Sequence, residues 1–390
     1  MLKKKTDLAI VTRSFWPIYP VIGEALLRFA ENLSGSYSVA VILQDHIGVR
    51  KELNEKARGK GVEFFPGKAW STSSSRIAVR ALDAIYFMLW VFLCLIRSRP
   101  KVVYVSTDPP VLVPLVVMIY AFFFKAKFVY HLQDIHPEAA NVVISVHPFV
   151  YRMLKWVDAL VMRRATAMIT ITEEMADEIV DRSRTQRPIH VIPNPAVSFD
   201  NIRYPDKRVR GFSFCGNAGR LQRIPLLLRA IKDYLDSGGS LLFVFAGGGI
   251  YAPDIQALAD QYDQVCYRGL VSATEAAQIS CDHEWALLPI EDEVTRFAFP
   301  SKSSSYAFAG SAVLAICGEE TSVSRWVLDN KVGVVVKPDV AEIVSAFFMI
   351  ENLDCISGDY SSKREVLKEE LSFDSFLTRL ESCFRQESLL

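Results

Sequence analysis

The sequence predicts an α/β protein built from two doubly wound domains that face each other across a cleft. In both halves of the chain, short apolar runs alternate with longer segments of helical periodicity, which is the pattern of parallel sheets covered by helices. Polar or glycine-rich turns follow most of the apolar runs, as they do where strands end. The length of 390 residues also exceeds that of one ordinary domain.

The domain boundary is predicted in the polar, irregular segment 197–210, which has the composition of a linker. The first domain then spans 1–198 and the second spans 199–372. Charge divides along the chain as well, although it has 44 basic and 44 acidic residues in total. Residues 1–200 carry 25 Lys and Arg against 18 Asp and Glu, and the remainder carries 19 against 26. A basic first half and an acidic second half indicate that one half meets something anionic.

The seven cysteines are scattered and form no C-x-x-C pair, so we interpret them as buried small side chains in a reducing compartment. Neither a disulfide framework nor a zinc site is expected. The start, Met1 to Lys5, resembles a signal peptide only until Asp7, and the apolar run Leu8–Val11 is too short for a hydrophobic signal region. We therefore expect a cytoplasmic protein with no bound metal and no nucleic-acid partner.

The chain opens with a predicted strand–helix–strand unit. Leu8–Val11 is the first strand, the helix runs from Glu24 to Leu33, and Tyr37–Leu43 is the second strand. Gly23 stands at the helix start, where a residue without a side chain leaves room for a bound sugar or phosphate. A plain helix cap explains Gly23 equally well.

Two unusually apolar segments follow in the basic half, Ala84–Ile96 and Pro109–Phe124. Neither reaches the ~18–20 residues needed to cross a bilayer. Basic residues flank the segments, and each contains Tyr or Trp, which is typical of helices that lie at a membrane surface. We predict contact with an anionic membrane surface, which would make the protein peripheral on the inner face of the cell membrane. The alternative is that both segments are buried helices that cover the sheet.

Four more strands are predicted in the first half, and a group of acid and base side chains follows one of them. The strands are Val102–Ser106, Phe128–Leu132, Ala167–Ile171 and His190–Ile192. In open parallel sheets, ligands bind beyond the carboxyl ends of the strands, so polar residues at these ends should line one cleft. Asp134, His131, His136 and Glu138 form the only acid/base cluster in this half. Their spacing does not suit a metal, and Asp134 could instead cap the next helix.

The most informative stretch is Gly211–Ile231. The apolar run Phe212–Cys215 meets the turn Gly216-Asn217-Ala218-Gly219, and Arg220 and Arg223 follow before a helical pattern. Glycines let the backbone come close to a ligand, and the start of a helix favours an anion. An ordinary strand-to-helix loop has the same composition, but two similar loops follow. They are Ala246-Gly247-Gly248-Gly249 after strand Leu241–Phe245, and Arg268-Gly269-Leu270 after strand Val265–Tyr267.

Strands Trp285–Leu288, Ala312–Ile316 and Gly333–Val336 complete the second half, and Pro300-Ser301-Lys302 precedes a helix that ends before Gly310. In its order of motifs, nearly the whole chain resembles bacterial glycosyltransferase family 4, which has the GT-B fold of two Rossmann-like domains. The resemblance is closest to the branch that builds O-antigen and capsular polysaccharides. The matching motifs are Pro17–Gly23, Val103–Ser106 with Pro109-Pro110, Gln133–Glu138, Ile192–Asn194, Gly216–Arg220, and Pro300–Lys302 with Gly310.

The resemblance implies a retaining transfer of a sugar from a nucleotide-sugar, with UDP favoured, to a lipid-linked saccharide acceptor, without a metal or other cofactor. It also implies that the second domain holds the nucleotide, and that the last helix, 373–390, packs back on the first domain. Arg220 and Lys302 would pair with the diphosphate, and Asp134 would position or deprotonate the acceptor hydroxyl. The other residues implied near the donor are Gly23, Gly216, Asn217, Gly219, Arg223, Gly247, Gly248, Arg268, Leu270, Ser301 and Ser305. The acceptor-side candidates are His131, His136 and Glu138.

Two positions depart from the family pattern. Most relatives carry a Glu at the position of Ser305, where it holds the donor ribose, and a serine supplies at most one weaker bond. The acidic segment 291–293 could replace it, and Arg223 could replace a phosphate-binding Lys that often follows Arg220. Two other functions therefore stay open. One is a catalytically impaired scaffold protein with the same fold, which Ser305 favours. The other is a nucleotide-sugar epimerase, against which the apolar, basic segments argue.

Overall fold

The computed structural model describes residues 5–71, 76–143, 146–353 and 361–390. Its contacts divide the chain into two compact units, Met1–Pro193 with Phe376–Leu390, and Asn194–Ser375. The division falls a few residues before the boundary predicted from the sequence. The first four residues, on which the signal-peptide comparison was made, and Cys355 lie outside the described residues.

The first unit contains a seven-stranded parallel sheet in the order β3-β2-β1-β4-β5-β6-β7. The strands are β1 (Leu8–Thr12), β2 (Val39–Asp45), β3 (Val62–Lys68), β4 (Val102–Ser106), β5 (Lys127–His131), β6 (Ala167–Thr170) and β7 (Ile189–Val191). β1 and β4 are buried along their whole length. Strands of a parallel sheet are covered on both faces, which is why these two are continuous apolar runs in the sequence.

Seven helices and most of an eighth belong to this unit in the described part of the chain. They are α1 (Ile22–Ser34), α2 (Val49–Glu55), α3 (Ile77–Ser98), α4 (Leu112–Phe124), α5 (Glu138–Val143), α6 (Pro148–Arg164), α7 (Glu173–Ser183) and the last helix, α15 (Phe373–Gln386). The ring of Phe384 in α15 packs on that of Phe29 in α1, with 5.4 Å between centroids. α2 and β3 were not predicted from the sequence. β3 lies at the sheet edge and most of its residues are not fully buried, so it lacks a continuous apolar run.

The first apolar segment forms a longer helix than predicted. α3 begins at Ile77, and its residues Ala78–Ser98, with a mean hydropathy of 2.0, are long and apolar enough to cross a bilayer by length and composition alone. The sequence-based statement that the segment is too short was therefore wrong. The predicted segment began at Ala84 because the residue before it, Asp83, is charged. In the structure Asp83 is fully buried. Its carboxylate accepts hydrogen bonds from Gln44 (2.7 Å) and from the hydroxyl of Ser71 (2.6 Å), so the helix can include it.

The second unit contains a six-stranded parallel sheet in the order β10-β9-β8-β11-β12-β13. The strands are β8 (Val209–Cys215), β9 (Leu242–Ala246), β10 (Val265–Tyr267), β11 (His283–Pro289), β12 (Ala312–Ile316) and β13 (Gly333–Val336). The helices are α8 (Ile224–Asp236), α9 (Ala252–Ala259), α10 (Ala273–Asp282), α11 (Lys302–Ala309), α12 (Ser322–Asp329), α13 (Val340–Glu351) and α14 (Ser361–Glu370). The predicted α/β class with two doubly wound sheets is thus confirmed.

Candidate functional site

In the second unit, the candidate site begins where the strand order reverses. β8 and β11 are neighbours, and the sheet continues outward from both of them in opposite directions. The loops that follow such a pair of strands diverge, which opens a crevice at their carboxyl ends. The loop after β8 is the turn Gly216–Gly219, and the loop after β11 is the acidic segment 290–293.

Backbone hydrogen bonds join the three glycine-containing loops into one surface. The amide of Gly216 donates to the carbonyl of Ala246 (2.8 Å), and the amide of Gly247 donates to the carbonyl of Gly269 (2.7 Å). Gly247 has φ +127°, and a Cβ there would stand 2.0 Å from the carbonyl oxygen of Gly216. Any side chain at Gly247 would therefore push the first loop away, so this glycine shapes the site through loop packing.

Lys302 brings a positive charge to this surface. As the first residue of α11, it extends its Nζ over the ring of Phe214 at 3.9 Å from the centroid. The same atom is 3.6 Å from the position that a Cβ on Gly216 would occupy. It is buried and has no hydrogen-bond partner in the described part of the chain. Burial lowers the pKa of Lys302 from its ordinary value to about 7. A buried amine without a partner costs free energy, so the site favours any anion that reaches it.

Arg220 follows the turn that Lys302 contacts. It opens the short 3₁₀ helix Arg220–Gln222, and its side chain is exposed, with no ion pair to any described carboxylate. Gly219, one residue earlier, donates its amide to the side chain of Gln222 (3.1 Å). The side chain of Asn217 lies against Gly219 and is exposed. The sequence-predicted residues Gly216, Asn217, Gly219, Arg220 and Lys302 therefore lie around one turn.

Arg223, in contrast, is already engaged inside the unit. Its Nε donates to the carbonyl of Ile290 (2.7 Å), and its Nη2 pairs with Glu291 (3.2 Å) and Asp292 (3.0 Å). Asp292 also accepts the amide of Gly318 at 2.9 Å. A phosphate at Arg223 would have to compete with two carboxylates, and a ribose at Glu291 or Asp292 would compete with a guanidinium. The donor-binding roles predicted for these residues stay predictions.

The other donor-side candidates are spread over neighbouring positions. Ser305 is buried within α11, and its hydroxyl accepts the amide of Val197 (3.2 Å), so it already ties down the predicted linker. Ser301 is exposed directly before α11. Arg268 and Leu270 are exposed on the loop after β10, and a Cβ on Gly248 would stand 3.1 Å from the side chain of Leu270.

The first unit has a pocket at the corresponding place in its own sheet. β1 and β4 are the neighbours at which the strand order reverses. A cavity of about 230 Å³ lies beyond the ends of β1, β4 and β5. Its lining residues are Thr12, Ser14, Ile22, Ser106, Thr107, Asp108, Pro110, Gln133, Asp134 and His136. Two of the four predicted acid/base residues, Asp134 and His136, are among them.

Asp134 lies close enough to a second carboxylate for the two charges to interact. Burial, followed by the charge of Asp108, raises the pKa of Asp134 to about 6. Burial also raises the pKa of Asp108, while the hydroxyl of Ser14, which donates to this carboxylate, and the charge of Arg13 lower it. Asp108 was not among the site residues predicted from the sequence. The available signal was its place two residues after a buried strand and directly before the motif residues Pro109-Pro110.

His131 and Glu138 lie away from the pocket. His131 is fully buried at the end of β5, and its two ring nitrogens bond to the hydroxyl of Tyr104 and to Gln133. Burial lowers the pKa of His131 to about 3, so its ring is neutral. Glu138 is buried in ion pairs with Lys155 (3.1 Å) and Arg182 (3.2 Å). Both side chains are therefore bonded within the core of the unit. The order of polar and apolar residues along the chain does not reveal such partners, because they come from distant segments.

Gly23 lies at the start of α1, next to Ile22 of the pocket wall. A Cβ on Gly23 would stand 2.5 Å from the backbone nitrogen of Trp16. The glycine therefore allows the helix to touch the loop after β1, whether or not a ligand also approaches there. In the described part of the chain, no group of three or more His, Cys, Asp or Glu side chains could hold a metal ion. The expectation that no metal is required stays a prediction.

Comparisons with known proteins agree with this architecture. Residues 22–195 match the model of a family described as a glycosyl transferase 4-like domain. The probable glycosyltransferase WbjE of Pseudomonas aeruginosa is 26% identical over 335 residues, which cover 80% of this chain and 82% of that protein. These two matches support a glycosyltransferase activity for this chain. The O-antigen and capsular branch stays a prediction.

Two solved structures show the fold. Sucrose-phosphate synthase from Thermosynechococcus elongatus superimposes with a TM-score of 0.72 at 12% identity, over 98% of this chain and 99% of that chain. HepE of Anabaena, solved in complex with UDP, superimposes with a TM-score of 0.67 at 13% identity, over 97% of this chain and 100% of that chain. Both superimpose over nearly the whole chain, so the predicted GT-B fold class is confirmed.

Proposed function

We propose that this protein is a retaining glycosyltransferase that moves a sugar from a nucleotide-sugar to a lipid-linked saccharide at the cytoplasmic face of the membrane. The observation that carries the proposal is the buried amine of Lys302, which has no hydrogen-bond partner in the described residues and lies against the turn after β8. A diphosphate is an anion of suitable shape for a glycine turn followed by a short helix and an arginine. UDP is the favoured nucleotide, and it is the ligand named for the HepE structure.

Lys302 and Arg220 would act on the leaving group. When the bond between the sugar and the diphosphate breaks, negative charge collects on the diphosphate oxygens. Two cations placed beside those oxygens stabilise the charge most in the transition state, without a metal ion. The new bond forms between the anomeric carbon and the acceptor oxygen on the same face that the nucleotide leaves, so no separate protein nucleophile is needed. Asp134 would orient the acceptor hydroxyl and accept its proton on the carboxylate as the new bond forms.

The donor part of the proposal is tested by thermal unfolding with UDP, GDP and their sugars. A ligand at 100 times its dissociation constant stabilises a protein by about 2.7 kcal/mol. We expect UDP to stabilise the wild type and to do so weakly or not at all in Arg220→Ala. Arg229→Ala, which removes an exposed arginine from α8, is the matched control and should respond like the wild type. If no nucleotide shifts the unfolding temperature, the result favours a catalytically impaired scaffold protein. The hydroxyl of Ser305 already accepts the amide of Val197, so it does not take over the ribose contact of the family Glu.

The acceptor part of the proposal is supported by an apolar face on the first unit. α4 packs between α3 and α6. Large side chains on these helices point outward, with Phe122 69%, Phe123 72%, Leu93 61% and Trp156 62% exposed. So many exposed large apolar side chains on three packed helices are unusual for a protein surrounded only by water. Basic residues flank it, as expected for a protein that lies on anionic lipid.

The opposite side of α3 contacts the sheet, with Phe87, Val91 and Leu95 fully buried. We therefore propose that α3 lies in the membrane surface and does not cross it. A lipid-linked saccharide would then be presented to the unit from the bilayer. Pelleting with anionic liposomes at low and high salt tests this part, and a protein that stays in the supernatant at low salt would contradict it.

A further inference from the structure

The pocket of the first unit differs in charge from the rest of that half. Residues 1–200 carry an excess of seven positive charges, yet none of the ten described residues that line the pocket is Lys or Arg. Two of them, Asp108 and Asp134, are carboxylates. The nearest arginine along the chain, Arg13, directs its guanidinium to the buried carboxylate of Asp83 (3.5 Å) and to Ser71 (3.3 Å). An anion that entered this pocket would therefore meet two carboxylates, compensated in part by the charge of Arg13, which also lowers the pKa of Asp108.

One residue of the pocket wall has a buried polar atom that lacks a partner inside the described part of the protein. The Nδ1 of His136 is buried and has no hydrogen-bond partner in the described residues. Burial and the charge of Arg182 lower the pKa of His136 to about 4, so this nitrogen belongs to a neutral ring. Asp134 also lines the pocket, where its side chain is only partly buried. Buried polar groups are normally satisfied, so the unpaired nitrogen of His136 favours a polar ligand in the pocket.

The remaining lining residues fit a ligand rich in hydroxyl groups. Ser14 holds Asp108 through its hydroxyl, and Gln133 lies beside Asp134 at the end of β5. The side chains of Thr12, Ser106 and Thr107 add hydroxyls at the ends of β1 and β4, where Ser106 donates to Thr12 (3.1 Å) and Thr107 accepts the amide of Gln133 (3.3 Å). Carboxylates accept hydrogen bonds from two hydroxyls each and bind polyols well, whereas they repel other carboxylates. The volume of about 230 Å³ is below the range of about 300–1,000 Å³ for drug-sized ligands, so one sugar ring is a suitable occupant.

We propose that this pocket binds the terminal sugar of the acceptor as an uncharged ring, and that Asp108 is the residue that excludes uronic acids and other anionic sugars. The inference rests on the proposed function and adds to it the class of sugar that receives the transfer. Asp134 faces the hydroxyl that reacts, and Asp108 positions the ring through its neighbouring hydroxyls. The lipid diphosphate of the acceptor lies outside the pocket, because its charge would meet the same two carboxylates.

Matched pairs of simple glycosides test the charge rule directly. The probes are the methyl glycosides of glucose, galactose and mannose, and of the corresponding uronic acids, which differ only in a carboxylate in place of the C6 alcohol. Binding to the full chain is measured by saturation-transfer NMR with UDP present, at about pH 8, where Asp134 is ionised because its pKa is about 6. We expect at least one neutral glycoside to bind, with an affinity at least about tenfold above that of its uronic acid.

Asp108→Asn locates the effect. The substitution removes one negative charge and keeps the shape of the side chain. The ratio of the affinities for a neutral glycoside and for its uronic acid should therefore fall several-fold. Asp181→Asn, on the exposed surface of α7, is the matched control and should leave this affinity ratio unchanged. If Asp108→Asn fails to fold, the wild-type comparison of the paired glycosides still decides.

Three results would overturn the inference. They are binding of a uronic acid as tight as, or tighter than, that of its neutral glycoside, no binding of any neutral glycoside, or an unchanged affinity ratio in folded Asp108→Asn. The UDP signal in the same spectra separates this inference from the proposed function. If UDP binds and no neutral glycoside does, the pocket inference fails and the donor site stands. If neutral glycosides bind and UDP does not, the donor proposal fails and the pocket inference stands.

Discussion

Replacing Lys302 by Met tests the electrostatic core of the proposed mechanism. The amine is buried, contacts the ring of Phe214 and has a pKa of about 7, because burial disfavours its charged form. A bound diphosphate would restore the charged form and raise the pKa again. The protein should therefore take up a proton when it binds the donor. At pH 7 about half of the free molecules carry this proton already, so we expect an uptake of about half a proton per donor.

The affinity should follow the protonated fraction of Lys302. With a pKa of about 7, this fraction falls from about nine-tenths at pH 6 to about one-tenth at pH 8, so the Kd of the donor should rise roughly tenfold across this range. Calorimetry of a UDP-sugar in buffers of different ionisation enthalpy measures both the uptake and the Kd. A UDP-sugar is preferable to UDP because its diphosphate does not titrate in this range.

The same substitution should stabilise the ligand-free protein. The folded state holds the pKa of Lys302 below its unfolded value, so the unfolded chain binds more protons, and stability falls as the pH drops from about 10.5 towards 7. Lys302→Met removes this cost and should raise the free energy of unfolding by about 1–3 kcal/mol at neutral pH while it abolishes donor binding. Lys232→Met is the control, since Lys232 is exposed and pairs with Asp236. A donor Kd in the wild type that is flat from pH 6 to 8, without proton uptake, would refute the reasoning.

The remaining predictions concern the loops, the acceptor side and the apolar face. Gly247→Ala should lower stability by at least about 2 kcal/mol and weaken donor binding, because its Cβ would overlap the carbonyl of Gly216; urea unfolding and UDP titration measure both. Asp134→Asn should reduce turnover at least about 100-fold with donor binding nearly unchanged. In the wild type, turnover should fall below about pH 6, where Asp134 becomes protonated, which a pH profile of kcat/KM records. Replacing Phe122 and Phe123 by Ser should weaken liposome binding without loss of stability, since both side chains are exposed.

Each of these predictions has a control within the chain. Gly238→Ala also places a side chain at positive φ, at +90°, but in open space, so it should lower the free energy of unfolding only through backbone strain. An equal decrease in both variants would show that loop packing at Gly247 does not contribute. Asp181→Asn on α7 should leave turnover unchanged, and a wild-type rate in Asp134→Asn would show that the carboxylate is dispensable. Val366→Ser removes an exposed apolar side chain from α14 of the other unit, and it should pellet like the wild type.

Much of the fold could be predicted from the sequence because parallel strands covered on both faces are short, continuous apolar runs. β1, β4, β8 and β12 were located to within a few residues on this basis. β3 was missed because a partly exposed edge strand lacks such a run. α3 was predicted too short because burial of the Asp83 carboxylate depends on Gln44 and Ser71, which are distant in sequence.

For the candidate site, the order of motifs was enough to select Lys302, Arg220 and the glycine turns, since a glycine turn after an apolar run and a basic residue at a helix start are local features. Local features do not reveal whether a charge is already paired. Only the tertiary structure distinguishes Lys302, which has no partner among the described residues, from Arg223, which is held by two carboxylates.

The sequence by itself thus determined the α/β class and predicted an anionic ligand for its glycine loops, because backbone geometry and charge are properties of neighbouring residues. The structure alone decided which polar side chains belong to the core and which remain available. His131 is bonded on both ring nitrogens inside the first unit, while Asp108 joins Asp134 in the pocket. The physical reason is that burial and pairing depend on segments brought together by the sheet, whose strand order cannot be deduced from the order of the strands along the chain.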